Sequence, residues 1–167
     1  MTAANSNKGL VLAVHPTARG FGWVLFESPL SIVDWGMAST SRQRNARLIA
    51  RFERLLAKYE PSVVVFEEFE GRRPRVDRIQ RLCRTLIHLA ACAGCETPVY
   101  RRTVVQAVFV TAGAVSRYEI AEVIANRIPM LALKRPRRRR NWQNEDPRQS
   151  LFDAAALATT HFALSSG

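Results

Sequence analysis

The stretch VLAVHPTARGFGWVLFE, residues 11 to 27, holds two apolar runs on either side of a turn. Val11, Leu12, Ala13 and Val14 are apolar without alternation, which marks a strand covered on both faces. We assign this strand to residues 10 to 15. Turn-forming residues fill 16 to 20, and a second strand follows over 21 to 27, where Gly20 and Gly22 allow close backbone approach. After the Ser28-Pro29 turn a third strand covers 31 to 36, so the chain opens as an antiparallel meander. His15 closes the first strand, at the end of a sheet where side chains commonly do chemistry.

Beyond the meander the period becomes helical over 41 to 59. Ala46, Ile49, Ala50, Leu55 and Leu56 are apolar, and Arg44, Arg47, Arg51 and Arg54 recur at three- and four-residue steps. Pro61 stops that helix, and SVVVF, residues 62 to 66, is a buried strand running into Glu67 and Glu68. A helix from about 76 to 93 has Ile79, Leu82, Leu86 and Leu89 on its apolar face, with Arg75, Arg78 and Arg81 opposite and Gly94 as its stop. A short strand at 98 to 100 and helices at 103 to 110 and 116 to 127 follow. Ser116 and Glu119 form a capping box for the second of these helices. KRPRRRRNWQNEDPRQ, residues 134 to 149, has no apolar face and reads as a mobile basic loop. An alanine-rich helix over 150 to 164 closes the chain, with Asp153 in its first turn and His161 near its last. Residues 1 to 8 read as a frayed terminus.

A chain of 167 residues, 47% of them hydrophobic, suits one core, so a single domain over 1 to 167 is expected. Neither a leader-like start nor a bilayer-length apolar run is visible, which points to a soluble, cytoplasmic protein without a membrane partner. Cys83, Cys92 and Cys95 are too few for a disulfide framework and fit a reducing compartment. CAGC, residues 92 to 95, lacks a second pair for zinc and reads as helix-end packing. The net charge of +11 calls for a polyanionic partner, nucleic acid foremost. Of the 25 basic residues only Lys8, Lys58 and Lys134 are lysine, and guanidinium forks suit phosphate and guanine.

The order of elements is that of the α/β ribonuclease H-like fold, a mixed five-stranded sheet flanked by helices. Four motifs narrow the reading. VLAVHPTARGFGWVLFE resembles the first hairpin of the RuvC-type Holliday-junction resolvases, where the apolar strand ends in Asp-Pro-Gly. SVVVFEEF resembles that family's strand ending in a catalytic glutamate, and RRTVVQAVFVTAGAVSRYEIAEVI its lysine-bearing segment. SLFDAAALATTH is similar to its last motif, an aspartate opening an alanine-rich helix. The resemblance spans residues 9 to 163.

The resemblance implies two divalent metals, magnesium or manganese, held by carboxylates that activate water against a phosphodiester. On this chain Glu67 would be the strand carboxylate, with Glu68 its alternative, and Asp153 the helix carboxylate. His15 stands where the resemblance expects an aspartate bridging both metals, and Ser150 where it expects an acid or histidine. Imidazole suits zinc, copper or nickel better than magnesium, so the catalytic and metal set His15, Glu67 and Asp153 reads as altered or as holding no metal. His15 can alternatively serve as general base. Gln106 and Arg117 fall where the family's lysines are expected, Arg117 keeping a charge for phosphate. Asp34, Glu145 and Asp146 are candidates for the missing carboxylate, although Asp146 before Pro147 suits a turn.

Arg72, Arg73, Arg75, Arg117, Arg135, Arg137, Arg138, Arg139, Arg140 and Trp142 are the expected nucleic-acid contacts, Trp142 by stacking. The expected function is binding of structured or branched DNA by a homodimeric RuvC-like protein whose endonuclease activity is impaired or lost. An active endonuclease with an altered metal site is one alternative. A basic assembly protein binding RNA or an acidic partner is another.

Overall fold

A computed structural model describes residues 9–41, 45–140 and 142–167. The terminus read at 1 to 8, and Arg44 with it, lie outside these. The chain runs β1 (Val11–Pro16), β2 (Gly20–Ser28), β3 (Ser31–Ser39), α1 (Asn45–Tyr59), β4 (Val63–Glu68) and α2 (Pro74–Cys92). It continues through β5 (Val99–Arg101), α3 (Arg102–Val110), α4 (Arg117–Arg127), α5 (Pro129–Ala132) and α6 (Gln149–Ser165). The strands form one mixed sheet in the order β3-β2-β1-β4-β5. The meander pairs antiparallel, while β1 with β4 and β4 with β5 pair parallel. This is the mixed five-stranded sheet flanked by helices that the sequence predicts.

The unbroken apolar run of β1 has its cause in two cores. Val11 and Ala13 enter the cluster formed with α3, α4 and α6, and Leu12 and Val14 the cluster formed with α1 and α2. A central strand covered on both faces cannot alternate with polar residues. Among the described residues no helix is long and apolar enough to cross a membrane.

Several expected boundaries shift. β3 runs on to Ser39 because β2 continues to pair with it as far as Gly20. β4 includes Glu67 and Glu68, whose backbone pairs with Tyr100 and Arg101 of β5 despite their charge. The buried face of α1 is Leu48, Phe52, Leu55 and Leu56, whereas Ala46 and Ala50 are exposed. The large side chains set the packed face, and the alanines were misleading. The capping box of α4 holds: the Ser116 hydroxyl accepts from the Glu119 N–H at 3.2 Å, and Glu119 accepts from the Val115 N–H at 3.2 Å.

α6 begins at Gln149, so Asp153 lies in its second turn, beyond the first-turn N–H groups that favour an acid. Residues 149 to 158 of this helix are all buried. Four alanines within that span, Ala154, Ala155, Ala156 and Ala158, let it lie close against β1, β2 and β4. At Gly22 the approach leaves no room for a side chain, since a Cβ would stand 2.5 Å from the carbonyl carbon of Ser150. Gly22 pairs with His15 across the β1–β2 ladder, so the same approach seats α6 over the end of β1. Gly22→Ala is expected to cost roughly 1–3 kcal/mol through overpacking against helix backbone. Calorimetry should record a melting point several degrees lower; an unchanged one would mean that α6 is not fixed there.

Candidate functional site

Parallel register builds the site. Val11 lies opposite Val63 and Ala13 opposite Val65, and continuing that pairing sets His15 beside Glu67. Both fall on the α6 side of the sheet, since alternate residues share a face. α6 brings Asp153 to the same point. β5 places Tyr100 against Glu67 and Arg101 against Glu68, so the next residue, Arg102, begins α3 at the same end of the sheet. Arg117 begins α4.

The three predicted site residues do meet, and all are buried: His15 is 5% exposed, Glu67 4% and Asp153 3%. His15 Nε2 donates to Glu67 Oε2 at 2.8 Å and lies 3.8 Å from Asp153 Oδ2. Its Nδ1 is buried without a partner among the described residues, and the Phe69 ring packs against the imidazole at a centroid distance of 5.5 Å. Arg102 grips Glu67 with both arms, Nε to Oε1 at 2.9 Å and Nη2 to Oε2 at 2.9 Å. Arg117 grips Asp153 likewise, Nε to Oδ1 at 3.2 Å and Nη2 to Oδ2, while its Nη1 reaches Glu145. Gln149 adds a bond to Asp153 Oδ1 at 3.2 Å.

Burial alone would push the Asp153 carboxyl up, but the field of His15, the hydrogen bonds from Arg117 and the charge of Arg102 outweigh it and hold the group below its ordinary range. Arg117 is the mirror image. Burial would lower it, and its bonds to Asp153 with the nearby charges of Glu145 and Glu67 keep it above the usual guanidinium value. A cleft of about 350 Å³ opens beside the cluster, lined in part by His15, Phe69, Arg101 and Thr103.

These residues do not fit a pair of magnesium or manganese ions. Such ions need carboxylate oxygens with free lone pairs. Here Glu67 Oε2 and Asp153 Oδ1 each accept two hydrogen bonds and each remaining oxygen accepts one from a guanidinium, so each carboxylate keeps one lone pair at most, too few to be shared by two ions that guanidinium charge already repels. Among the described residues no trio of His, Cys, Asp or Glu side chains is disposed to hold a metal ion.

The alternatives for the missing carboxylate separate cleanly. Glu68 stays out of the buried cluster and pairs with Arg101 at 2.9 Å at the wall of the cleft. Asp34 sits on β3, two strands from β1, and accepts from the Tyr59 hydroxyl and the Trp35 N–H. Glu145 reaches the edge of the site as the second partner of Arg117. Asp146 is the turn residue expected, bonded to Arg148 and to the N–H of Arg137, and the Arg148 hydrogen bond is the chief cause of its carboxyl lying at about 2. Ser150 donates to the Pro147 carbonyl at 2.9 Å, and Gln106 is a half-buried residue of α3. Cys95 donates to the Pro61 carbonyl at 3.1 Å, the helix-end contact expected. His161 pairs with the Tyr100 hydroxyl at 3.0 Å.

The described residues of the basic segment ahead of α6 form a loop, and several of its side chains bond within it. Asp146 braces it from one side, and Arg139 donates to the Gln143 carbonyl at 2.7 Å while Gln143 Oε1 accepts from the Arg140 N–H at 3.2 Å. Its polar side chains fold back on its own backbone, a local order that charge counting cannot show. Arg140 lies over the Trp142 ring at 5.6 Å and Arg138 over Tyr118 at 5.9 Å. Arg72, Arg73, Arg75, Arg135, Arg137 and Trp142 are exposed. Arg117, expected to face phosphate, turns its guanidinium inward.

Sequence reading missed Arg102 and Gln149. The only available signal for Arg102 was the parallel pairing of β5 with β4; Gln149 stands four residues before Asp153, one helical turn away. Glu67→Gln removes the negative charge facing Arg102 and replaces one of its two acceptor oxygens with an NH2 donor, leaving the partly buried guanidinium without its counter-charge. In metal-free buffer, urea unfolding should show a loss of roughly 2 kcal/mol, below the cost of breaking a fully buried pair because Arg102 keeps some solvent contact. A carboxylate cluster lacking cations would gain stability from the same change.

No family model and no curated protein matches the chain. Solved structures do. Thermus thermophilus RuvC in complex with a Holliday junction substrate superposes with a TM-score of 0.72 at 20% identity, over 95% of this chain and 96% of that one. Thermus thermophilus RuvC in another structure gives 0.68 at 22% identity, over 95% and 96%. The Fowlpox virus resolvase in complex with Holliday junction DNA gives 0.54 at 11% identity, over 90% and 99%. The chain therefore has the ribonuclease H-like fold in the form seen in RuvC.

Proposed function

We propose that this protein binds branched DNA of the Holliday-junction type across the open end of its sheet and does not cleave it. The observation that carries the second half is the closed pairing of Glu67 with Arg102 and of Asp153 with Arg117, with His15 bonded to Glu67. Hydrolysis of a phosphodiester by the family's route needs those carboxylates free to hold divalent ions. His15 in this reading occupies the place of a bridging aspartate, and an imidazole supplies neither its charge nor its oxygens.

The first half is supported by charge and by fold. Two of the similar solved structures contain Holliday junction DNA. A net charge of +11 suits a partner with a phosphate backbone. Arg72, Arg73 and Arg75 follow the strand that carries Glu67, and the braced segment with Arg135, Arg137, Arg138, Arg139 and Arg140 precedes the helix that carries Asp153. Both flank the site. Trp142 offers an exposed ring to an unpaired base, with Arg140 already against it. A homodimer would match a two-fold symmetric junction.

A labelled four-way junction and a matched linear duplex, incubated with the protein in magnesium and in manganese, test both halves together. Junction binding tighter than duplex binding, without cleavage in either metal, is the expected result. Cleavage that disappears in Asp153→Asn would overturn the second half and make the site an active one. Equal affinity for both substrates would overturn the first.

The braced segment has its own test. Replacing Arg137, Arg138, Arg139 and Arg140 with alanine should reduce the slope of log affinity against log salt by about 0.9 for each arginine that meets a phosphate. Anisotropy titrations over a salt series measure it, and an unchanged slope would remove the segment from the interface.

A further inference from the structure

We infer that Arg102 and Arg117 are resident counter-cations: they hold Glu67 and Asp153 together in the role the fold otherwise gives to divalent metal, so that the chain assembles this site without a metal ion. The inference deepens the binding-only reading by naming the residues that displaced the metal. It rests on that reading, and its observations are the contacts of these two side chains.

Charge comes first. Glu67 and Asp153 are both buried, and two guanidinium groups meet them one to one. A divalent ion entering between them would face two fixed positive charges and an imidazole. Arginine, unlike lysine or histidine, does not give up its proton to make room. Position comes second. Arg102 and Arg117 are the first residues of α3 and α4, and each reaches the cluster from a different helix, with Arg102 Nη2 also 3.8 Å from Asp153 Oδ1. The fork geometry comes third: each arginine uses Nε and Nη2 on its carboxylate, a two-point grip that a hydrated ion must break completely before it can bind.

The arrangement also explains why His15 is tolerated. An aspartate at that position would be a third buried carboxylate beside two arginines, leaving the cluster short of positive charge. An imidazole donating through Nε2 to Glu67 adds no negative charge.

The test uses the full chain with manganese alone and no nucleic acid, so it can fail while junction binding stands, and junction binding can fail while it stands. Free manganese is read by its electron paramagnetic resonance signal, and the melting point is read in chelator and in manganese. The wild-type protein should leave the manganese signal at its buffer value and melt at the same temperature in both. The double variant Arg102→Gln/Arg117→Gln should take up manganese stoichiometrically and melt higher with the ion than without it, and adding Asp153→Asn should abolish both effects. Stoichiometric manganese uptake by the wild type, lost in Asp153→Asn, would overturn the inference. So would a folded double variant that ignores manganese. If the double variant is unfolded in chelator, refolding in manganese supports the inference; if it is unfolded in both, the wild-type titration decides alone.

Discussion

Two ionised carboxylates cannot be buried close together without positive charge beside them, and the architecture at the open end of this sheet meets that constraint. α6 lies flat on the strands because its sheet-facing side is largely alanine and because Gly22 gives its first turn room. That seating takes Asp153 out of water and sets it near Glu67. The cost of both burials is met by Arg102, Arg117 and the His15 donor, which come from the starts of two helices and the end of a strand. Helix placement and charge compensation are therefore one problem with one solution. Without Arg117 the helix would hold the Asp153 charge against the sheet without its guanidinium, and without Arg102 the end of β4 would hold Glu67 in the same state.

Most of the fold was legible because periodicity reports burial. β1 read as a strand covered on both faces, and it separates two apolar clusters. The capping box at Ser116 was legible because it is local, complete within four residues. α1 misled because alanine counts as apolar in a pattern yet contributes little to packing, so the face drawn through Ala46 and Ala50 missed Leu48 and Phe52. Glu67, Asp153 and His15 were legible as a group through motif order. Their partners were not, since a contact between Arg102 and Glu67 spans 35 residues and depends on how β5 pairs with β4.

Two groups among the described arginines differ in a way that composition cannot show. Arg102 and Arg117 face inward and neutralise carboxylates. Arg72, Arg73 and Arg75 are exposed and form no ion pair among the described residues, and the segment around Arg137 is ordered chiefly by bonds to its own backbone and to Asp146. The second group keeps its charge available to solvent. Glu145 joins the two, since its bond to Arg117 ties the basic segment to the buried cluster. The disposition of the outer cations is thereby coupled to the integrity of the inner pairs.

The grip of Arg117 on Asp153 also sets the range of pH over which the cluster holds. Asp153 lies below its ordinary value of 3.8, so what its ionisation contributes to stability is complete above that value and is lost only as pH falls through the lowered one. Arg117 lies above the ordinary guanidinium value, so its contribution is complete below that value and is lost only as pH rises through the higher one. Between those limits neither partner changes charge. A cluster held by a divalent ion loosens wherever protons or chelators compete for its carboxylates. One held by guanidinium has no ion for a chelator to remove, so the proposed pairing keeps the open end of this sheet in shape in media that would strip a metalloenzyme.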